Sequence, residues 1–276
     1  MTLFDCIEFN AAMRWIDVMS DVAFLVMDLR DRRRPDLAAR LLNAYLEQTG
    51  DYAGLAVLRF YFAYRALVRA KIAILRLAQT VGNGEPQRLV DEYRGYLALA
   101  AMAARQQVDS ARERPSLIIT HGVTGSGKTT RAQAVVDSIG AIRIRSDVER
   151  KRLSGLQPLA RTASATGEGL YTGERDRQTY ERMATLARTV LTAGYTAVVD
   201  AAFLQRWQRD LLRDVAIGLK LPFRIADCSA PEPVLRDRVA QRRERGRDAS
   251  EATFDVLEYQ LAHADPLSSE ELVLRE

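Results

Sequence analysis

The sequence predicts an α/β domain built on a parallel sheet, preceded by an all-helical lobe, and three observations predict it. After Pro115, short β-branched runs alternate with helical patterns. Before it, apolar residues recur almost entirely at helical spacing. Between the first such run and the next helix lies a glycine-rich stretch, GVTGSGKTT, at residues 122–130. Strands alternating with helices signal a parallel sheet covered on both faces.

The helical lobe comes first. Residues 21–29 are apolar and follow a Ser-Asp cap signal, and Pro35 opens a helix over 36–48 that Gly50 closes. Residues 55–79 form one long apolar helix. Arg65, Arg69 and Arg76 fall on one narrow face of it, the pattern of a core helix with a single solvated stripe. Residues 81–86, VGNGEP, are a turn, and 87–112 are another helix. The charged stretch ending in Pro115 sets the expected boundary, with a helical lobe over 1–114 and an α/β domain over 115–276. In the second half, strands are expected at 117–120, 141–145, 196–200 and 223–227. Helices are expected at 128–139, 147–153, 174–193, 205–218 and 232–245. Residues 272–274 read as a last short strand. The polar, glycine-rich stretch between Gly155 and Gly173 reads as a long functional loop, with Arg161, Glu168 and Tyr171 as acceptor contacts.

Composition narrows the function. Of 276 residues, 47% are hydrophobic and 28% charged, as in an ordinary globular protein. The net charge of +4 rests on 36 arginines and only four lysines, too small an excess to argue for nucleic acid. Cys6 and Cys228 lie far apart and outside any CxxC pattern, which reads as reduced thiols in a cytoplasmic protein. Two histidines, His121 and His263, do not build a histidine-rich metal site. The N-terminal stretch has no signal-peptide pattern. Arginines and a lysine interrupt the most apolar segment, so no run reaches the ~20 residues of a membrane span.

The motif carries the chemistry. Gly122, Gly127, Lys128 and Thr129 fit G-x-x-x-x-G-K-[ST], the phosphate-binding P-loop. Glycines let the loop wrap with its N–H groups inward, and the following helix turns its positive end to the anion. The expected ATP contacts are Gly122, Thr124, Gly125, Ser126, Gly127, Lys128, Thr129 and Thr130. Lys128 is a compact cation for the β- and γ-phosphates, and Thr129 offers a hydroxyl to Mg²⁺. Arginine, a rigid planar fork, does not replace that point charge.

The acting groups lie further on. Asp200 ends the apolar strand 196–200 and would support Mg²⁺; its alternative is a helix cap. Ala201 and Ala202 follow it, where motor ATPases usually carry a glutamate. Asp147 follows the second strand, at the end where open α/β sheets bind ligands. It can take a proton from an acceptor hydroxyl while Arg150 holds the acceptor; its alternative is also a cap. Residues 234–247, VLRDRVAQRRERGR, put Arg238, Arg242 and Arg245 along one helix face. That face suits a lid closing over phosphates; the alternative is a solvated basic surface. The fold class is thus an α/β P-loop NTPase domain with a parallel sheet and an arginine-bearing lid.

Residues 117–265 resemble the small P-loop kinases of the adenylate-kinase-like group, near gluconate kinases, zeta toxins and the "AAA domain" kinases. GVTGSGKTT, RIRSDVERKRL, TAVVDAAFL and RVAQR carry that resemblance. It implies ATP- and Mg²⁺-dependent phosphoryl transfer to a small hydroxylated acceptor. Asp147 would be the acceptor-side carboxylate, and Arg238 and Arg242 the lid arginines. The stretch FDCIEFNAAMRWIDVMSDVAFLVMDL resembles the segment after the catalytic loop of aminoglycoside-phosphotransferase-like kinases, with Asp5 at a metal-binding position and Asp21 at a structural one. In order, the two halves resemble fused bacterial phosphotransferase–ATP-binding proteins. The His-Gly-Asp loop and nucleotide lobe of such kinases are not in this sequence, so Asp5 and Glu8 are expected to be silent. Two other readings stay open, an ATP-dependent switch without its own acceptor and a polynucleotide 5′-kinase.

Overall fold

A computed structural model describes residues 15–79, 86–105, 114–158, 160, 173–245 and 253–274, with backbone alone for 242–245. Its contacts divide the chain into two compact units, and the division is not sequential. The first unit holds α1 (Val18–Asp31), α3 (Leu55–Gln79) and α4 (Pro86–Arg105). The second holds α2 (Pro35–Thr49), a 3₁₀ turn at Tyr52–Gly54 as far as Ala53, and the chain from β1 (Leu117–His121) onward.

The first unit is a helical bundle. Asp17, rather than the expected Ser-Asp pair, caps α1 and accepts from the Met19 N–H at 2.9 Å. On α3, Leu58, Phe62, Ala66, Ala70 and Ala73 are buried at helical spacing, opposite Met19, Ala23 and Met27 of α1 and Tyr96, Ala100 and Ala103 of α4. The alanines let the helix axes come close. The arginine stripe of α3 is partnered rather than simply solvated. Arg65 donates to Ser20 Oγ at 3.1 Å and stands over the Phe24 ring; Arg69 donates to Tyr96 Oη at 3.1–3.2 Å. Long arginine stems cover apolar surface while their heads find acceptors.

The second unit is a three-layer α/β fold. Four parallel strands, β1, β2 (Ile142–Arg145), β3 (Ala197–Asp200) and β4 (Phe223–Asp227), lie in the order β2-β3-β1-β4. The connections run through α5 (Lys128–Ile139), α6 (Ser146–Leu153) with α7 (Gly173–Thr192), and α8 (Arg206–Leu219). The central strands β1 and β3 are apolar on both faces, with Leu117, Ile119, Val198 and Val199 fully buried, whereas edge strand β2 alternates the fully buried Ile142 and Ile144 with Arg143 and Arg145. The chain then forms α9 (Glu232–Arg245), α10 (Phe254–His263) and α11 (Ser269–Leu272).

Helix α2 belongs to this unit, where the sequence placed it in the helical lobe. Ala39 joins the core formed by Ile118, Ala132, Val136 and Val198. Asn43 acts as a fragment of a missing fifth strand along the edge of β2. Its Nδ2 donates to the Ala141 carbonyl at 3.0 Å, and its Oδ1 accepts from the Arg143 N–H at 2.6 Å. The Tyr52 hydroxyl adds a contact to the Arg143 carbonyl at 3.4 Å. An uncovered strand edge recruits other chains, so α2 closes a liability.

The other edge is closed from the C-terminal side. Residues 272–274 are not the expected strand; α11 ends at Leu272, its capping box formed by Ser268 and Glu271. The Leu274 carbonyl still accepts from the Ile225 N–H of β4 at 2.8 Å. Arg209, 1% exposed, locks this region by donating to Glu271 at 2.6 Å and to the carbonyls of Phe203 and Leu204. Among the described residues, no helix is long and apolar enough to cross a membrane.

Candidate functional site

The phosphate loop runs from the end of β1 to the start of α5, as the motif requires. Two glycines are demanded by geometry. At Gly122 (φ 136°) a Cβ would stand 2.2 Å from the Cys228 carbonyl oxygen. Gly125 (φ 80°) lies in the left-handed region and against the Leu235 carbonyl of α9. Gly127 caps α5, so the first free N–H groups of that helix face the loop. Ser126 Oγ is buried and without a hydrogen-bond partner, a polar atom left for a ligand. Thr124 is buried, Thr129 half-buried and Thr130 exposed. Lys128 folds back, its Nζ 2.7 Å from the Val123 carbonyl.

Two later helices grip the same loop. Arg238 on α9 donates to the Gly125 carbonyl at 3.1 Å, so this predicted lid residue already touches the cradle. Leu235, Val239 and Leu257 form a small core with Val123 packed against it, and Val234 is 37% exposed. Gln260 on α10 accepts from the Thr124 N–H at 2.7 Å. Gln260 went unnoticed in the sequence: a glutamine 136 positions away carries no local signal of its partner. Arg242 lies on the backbone of α9, and its side chain is outside the described part. Asp5, Glu8, Arg161, Glu168 and Tyr171 also lie outside the described residues.

Asp200 ends β3 beside the cradle. It caps no helix, since α8 starts at Arg206 behind Gln205. Burial pushes its carboxyl above the ordinary range, opposed by Arg145, Lys128, Arg143 and a hydrogen bond from Thr129. Asp200 Oδ2 is buried without a hydrogen-bond partner, with Arg145 Nε 3.9 Å away. No cluster of three or more His, Cys, Asp or Glu capable of holding a metal exists among the described residues. One carboxylate and one hydroxyl are a small donor set of the kind that suits Mg²⁺, which rarely uses an all-protein cage.

Asp147 lies in the first turn of α6 and is half-buried; the cap position falls to Arg145, so Asp147 is not the cap. Since Arg145 pairs in register with Asp200, the start of α6 sits at the same end of the sheet as the metal-side carboxylate. Arg150 stands 3.8 Å from Asp147 and 2.7 Å from Asp176, which also accepts from Gln208 at 3.3 Å. Arg150, Ser154, Glu174, Arg175, Gln178 and Thr179 line a polar cleft of about 380 Å³ between α6 and α7.

Residues 117–267 match the model of a family described as "AAA domain", and the chain belongs to that family. It is 32% identical over 248 residues to an uncharacterised protein of Mycobacterium tuberculosis, covering 90% of this chain and 48% of that one; a Mycobacterium bovis protein matches equally. The chain therefore spans about half the length of the curated relatives it matches. Among solved structures it is similar to a gluconokinase from Sinorhizobium meliloti (22% identity, TM-score 0.41, 59% of this chain and 82% of that one). It is also similar to a sugar kinase from Janibacter (22%, TM-score 0.39, 57% and 81%).

Proposed function

We propose that the second unit is a P-loop phosphotransferase that moves the γ-phosphoryl group of ATP to a hydroxyl of a small acceptor, with Mg²⁺ as cofactor. The observation that carries this reading is the pairing of a complete phosphate cradle with Asp200, a buried carboxylate beside Thr129 with one oxygen lacking a hydrogen-bond partner.

Loop N–H groups and Lys128 bind the β- and γ-phosphates, and Arg238 stands ready to leave the Gly125 carbonyl for them. Thr129 and Asp200 would hold Mg²⁺, which when bound neutralises phosphate charge. The acceptor occupies the cleft beside Arg150. Its hydroxyl oxygen bonds to the γ-phosphorus as the bond to the β–γ bridging oxygen breaks, and the proton passes to Asp147. Arg242 would join Arg238 as the lid closes. Ala201 and Ala202, where a water-activating glutamate would stand, favour transfer over hydrolysis.

Isothermal calorimetry with Mg²⁺ and a non-hydrolysable ATP analogue tests the reading, followed by ATP turnover against a panel of polyols, sugar acids and nucleosides. Magnesium-dependent nucleotide uptake and turnover raised by one acceptor are expected. Absence of nucleotide uptake by folded protein overturns it, and turnover indifferent to every acceptor returns the choice to a switch.

A further inference from the structure

Three arginines converge on one glutamate of α2. Glu47 Oε1 accepts from Arg143 Nε at 2.9 Å and Nη2 at 2.7 Å. Its Oε2 stands 3.9 Å from Arg145 Nη1, and its backbone carbonyl accepts from Arg152 at 2.5 Å. Arg145 continues the chain of charges, since its Nε is 3.9 Å from Asp200 Oδ2. The guanidinium of Arg145 thus lies between two carboxylates, Glu47 on one side and Asp200 on the other. All three side chains are shielded, at 13%, 17% and 5% exposure for Arg145, Glu47 and Asp200.

This placement creates a competition. Asp200 Oδ2 makes no hydrogen bond, although a five-donor fork is one short movement away. At lower dielectric that pull is strong, and a guanidinium closed onto Asp200 would compete with a cation for the carboxylate. Glu47 pulls the same guanidinium the other way, and is itself fixed by two donors of Arg143 on its Oε1, while the Arg143 N–H is fixed by Asn43. Groups that orient a metal's carboxylate ligand are commonly as decisive as the ligand.

We infer that Glu47 is a positioning residue of the phosphotransfer site: it draws Arg145 away from the unbonded Oδ2 of Asp200, the carboxylate proposed to hold Mg²⁺. The inference rests on the proposed function above. It makes α2 a working part of the site rather than a support, since its tip sets how strongly Mg²⁺ is held.

The test uses the full chain and the affinity for a non-hydrolysable ATP analogue, measured by calorimetry with Mg²⁺ and again with EDTA. Glu47→Gln should weaken the Mg²⁺-dependent affinity about tenfold and leave the metal-free affinity unchanged. Glu47→Asp should recover part of the loss. In an Arg145→Gln background the Glu47→Gln change should have a much smaller effect, because the guanidinium between the two carboxylates is gone. Equal loss in both backgrounds, or unchanged Mg²⁺ dependence in Glu47→Gln, overturns the inference. Should Glu47→Gln fail to fold, Arg145→Gln alone decides: tighter Mg²⁺-dependent binding supports the restraint and unchanged binding overturns it. Wild-type protein that takes up no magnesium nucleotide overturns the function reading and this inference with it. Wild-type uptake with an indifferent Glu47→Gln overturns this inference only.

Discussion

The two edges of the sheet solve one problem in different ways. At β4 the cover is a carbonyl from Leu274, locked by the buried Arg209–Glu271 pair. At β2 the cover is Asn43, reached across a separation of 98 to 100 residues, with Glu47 one turn further along α2. Both covers satisfy backbone groups that would otherwise be left unpaired. Only the β2 cover brings charge to the end of the sheet where Lys128, Thr129 and Asp200 meet. An edge can be closed for stability alone or closed in a way that also tunes the chemistry.

The broadest way to break this contrast lies at neither edge. Lys128→Ala should reduce turnover by about a thousandfold with an unchanged melting temperature; retained activity would remove the cradle from the mechanism and leave the β2 cover nothing to tune. Next comes Glu271→Ala, which leaves the Arg209 guanidinium buried and should cost about 3 kcal/mol in denaturant unfolding. At a temperature where the variant is folded, its turnover should equal that of the parent. Asn43→Ala strips partners from Ala141 and Arg143 and should cost about 2 kcal/mol, but here turnover of the folded fraction should fall as well. If both variants lose stability and neither loses turnover, the edges do not differ.

pH sharpens the same comparison. The Glu271 carboxyl is opposed by burial, but the Arg209 and Ser268 hydrogen bonds outweigh it and hold the group below its ordinary value of 4.5. Its contribution is therefore complete above that value and is lost as pH falls through the lower, folded value. The stability gap between parent and Glu271→Gln should shrink on acidification. Asp200 has the opposite sign: burial raises its carboxyl, so the charged form weakens the nucleotide-free fold as pH rises through that raised value. Asp200→Asn should raise the nucleotide-free melting temperature by about 2 °C while abolishing stabilisation by magnesium nucleotide. The smallest effect belongs to Arg40, whose exposed pair with Asp137 also ties α2 to α5. Arg40→Ala should leave the denaturant midpoint almost unchanged.

Much of the second unit was legible because its signals are local. A β-branched run, a glycine-rich turn and an amphipathic helix each declare themselves within about ten residues, and they place Lys128, Thr129 and Asp200 at the strand ends. The identity of α2 as a helix was equally plain, yet its place was not. Asn43 and Glu47 look like ordinary polar positions on a surface helix, and their partners Arg143 and Arg145 lie some hundred residues on. Gln260 was hidden for the same reason. Other misreadings were closer to hand. Ser20 and Asp21 resemble a cap as well as Asp17 does, and only backbone geometry separates them. Residues 272–274 are too short to tell strand from helix end, although the Ser268 and Glu271 spacing already spelled a capping box.

The Asn43 contact has a practical bearing on how the protein is handled. A chain trimmed at Pro115, where composition invites the cut, would keep every element of the nucleotide cradle and discard α2. The bare flank of β2 would then be open to a neighbouring molecule, and such a fragment should precipitate or pair side by side. A soluble form that retains the cradle has to begin no later than Pro35.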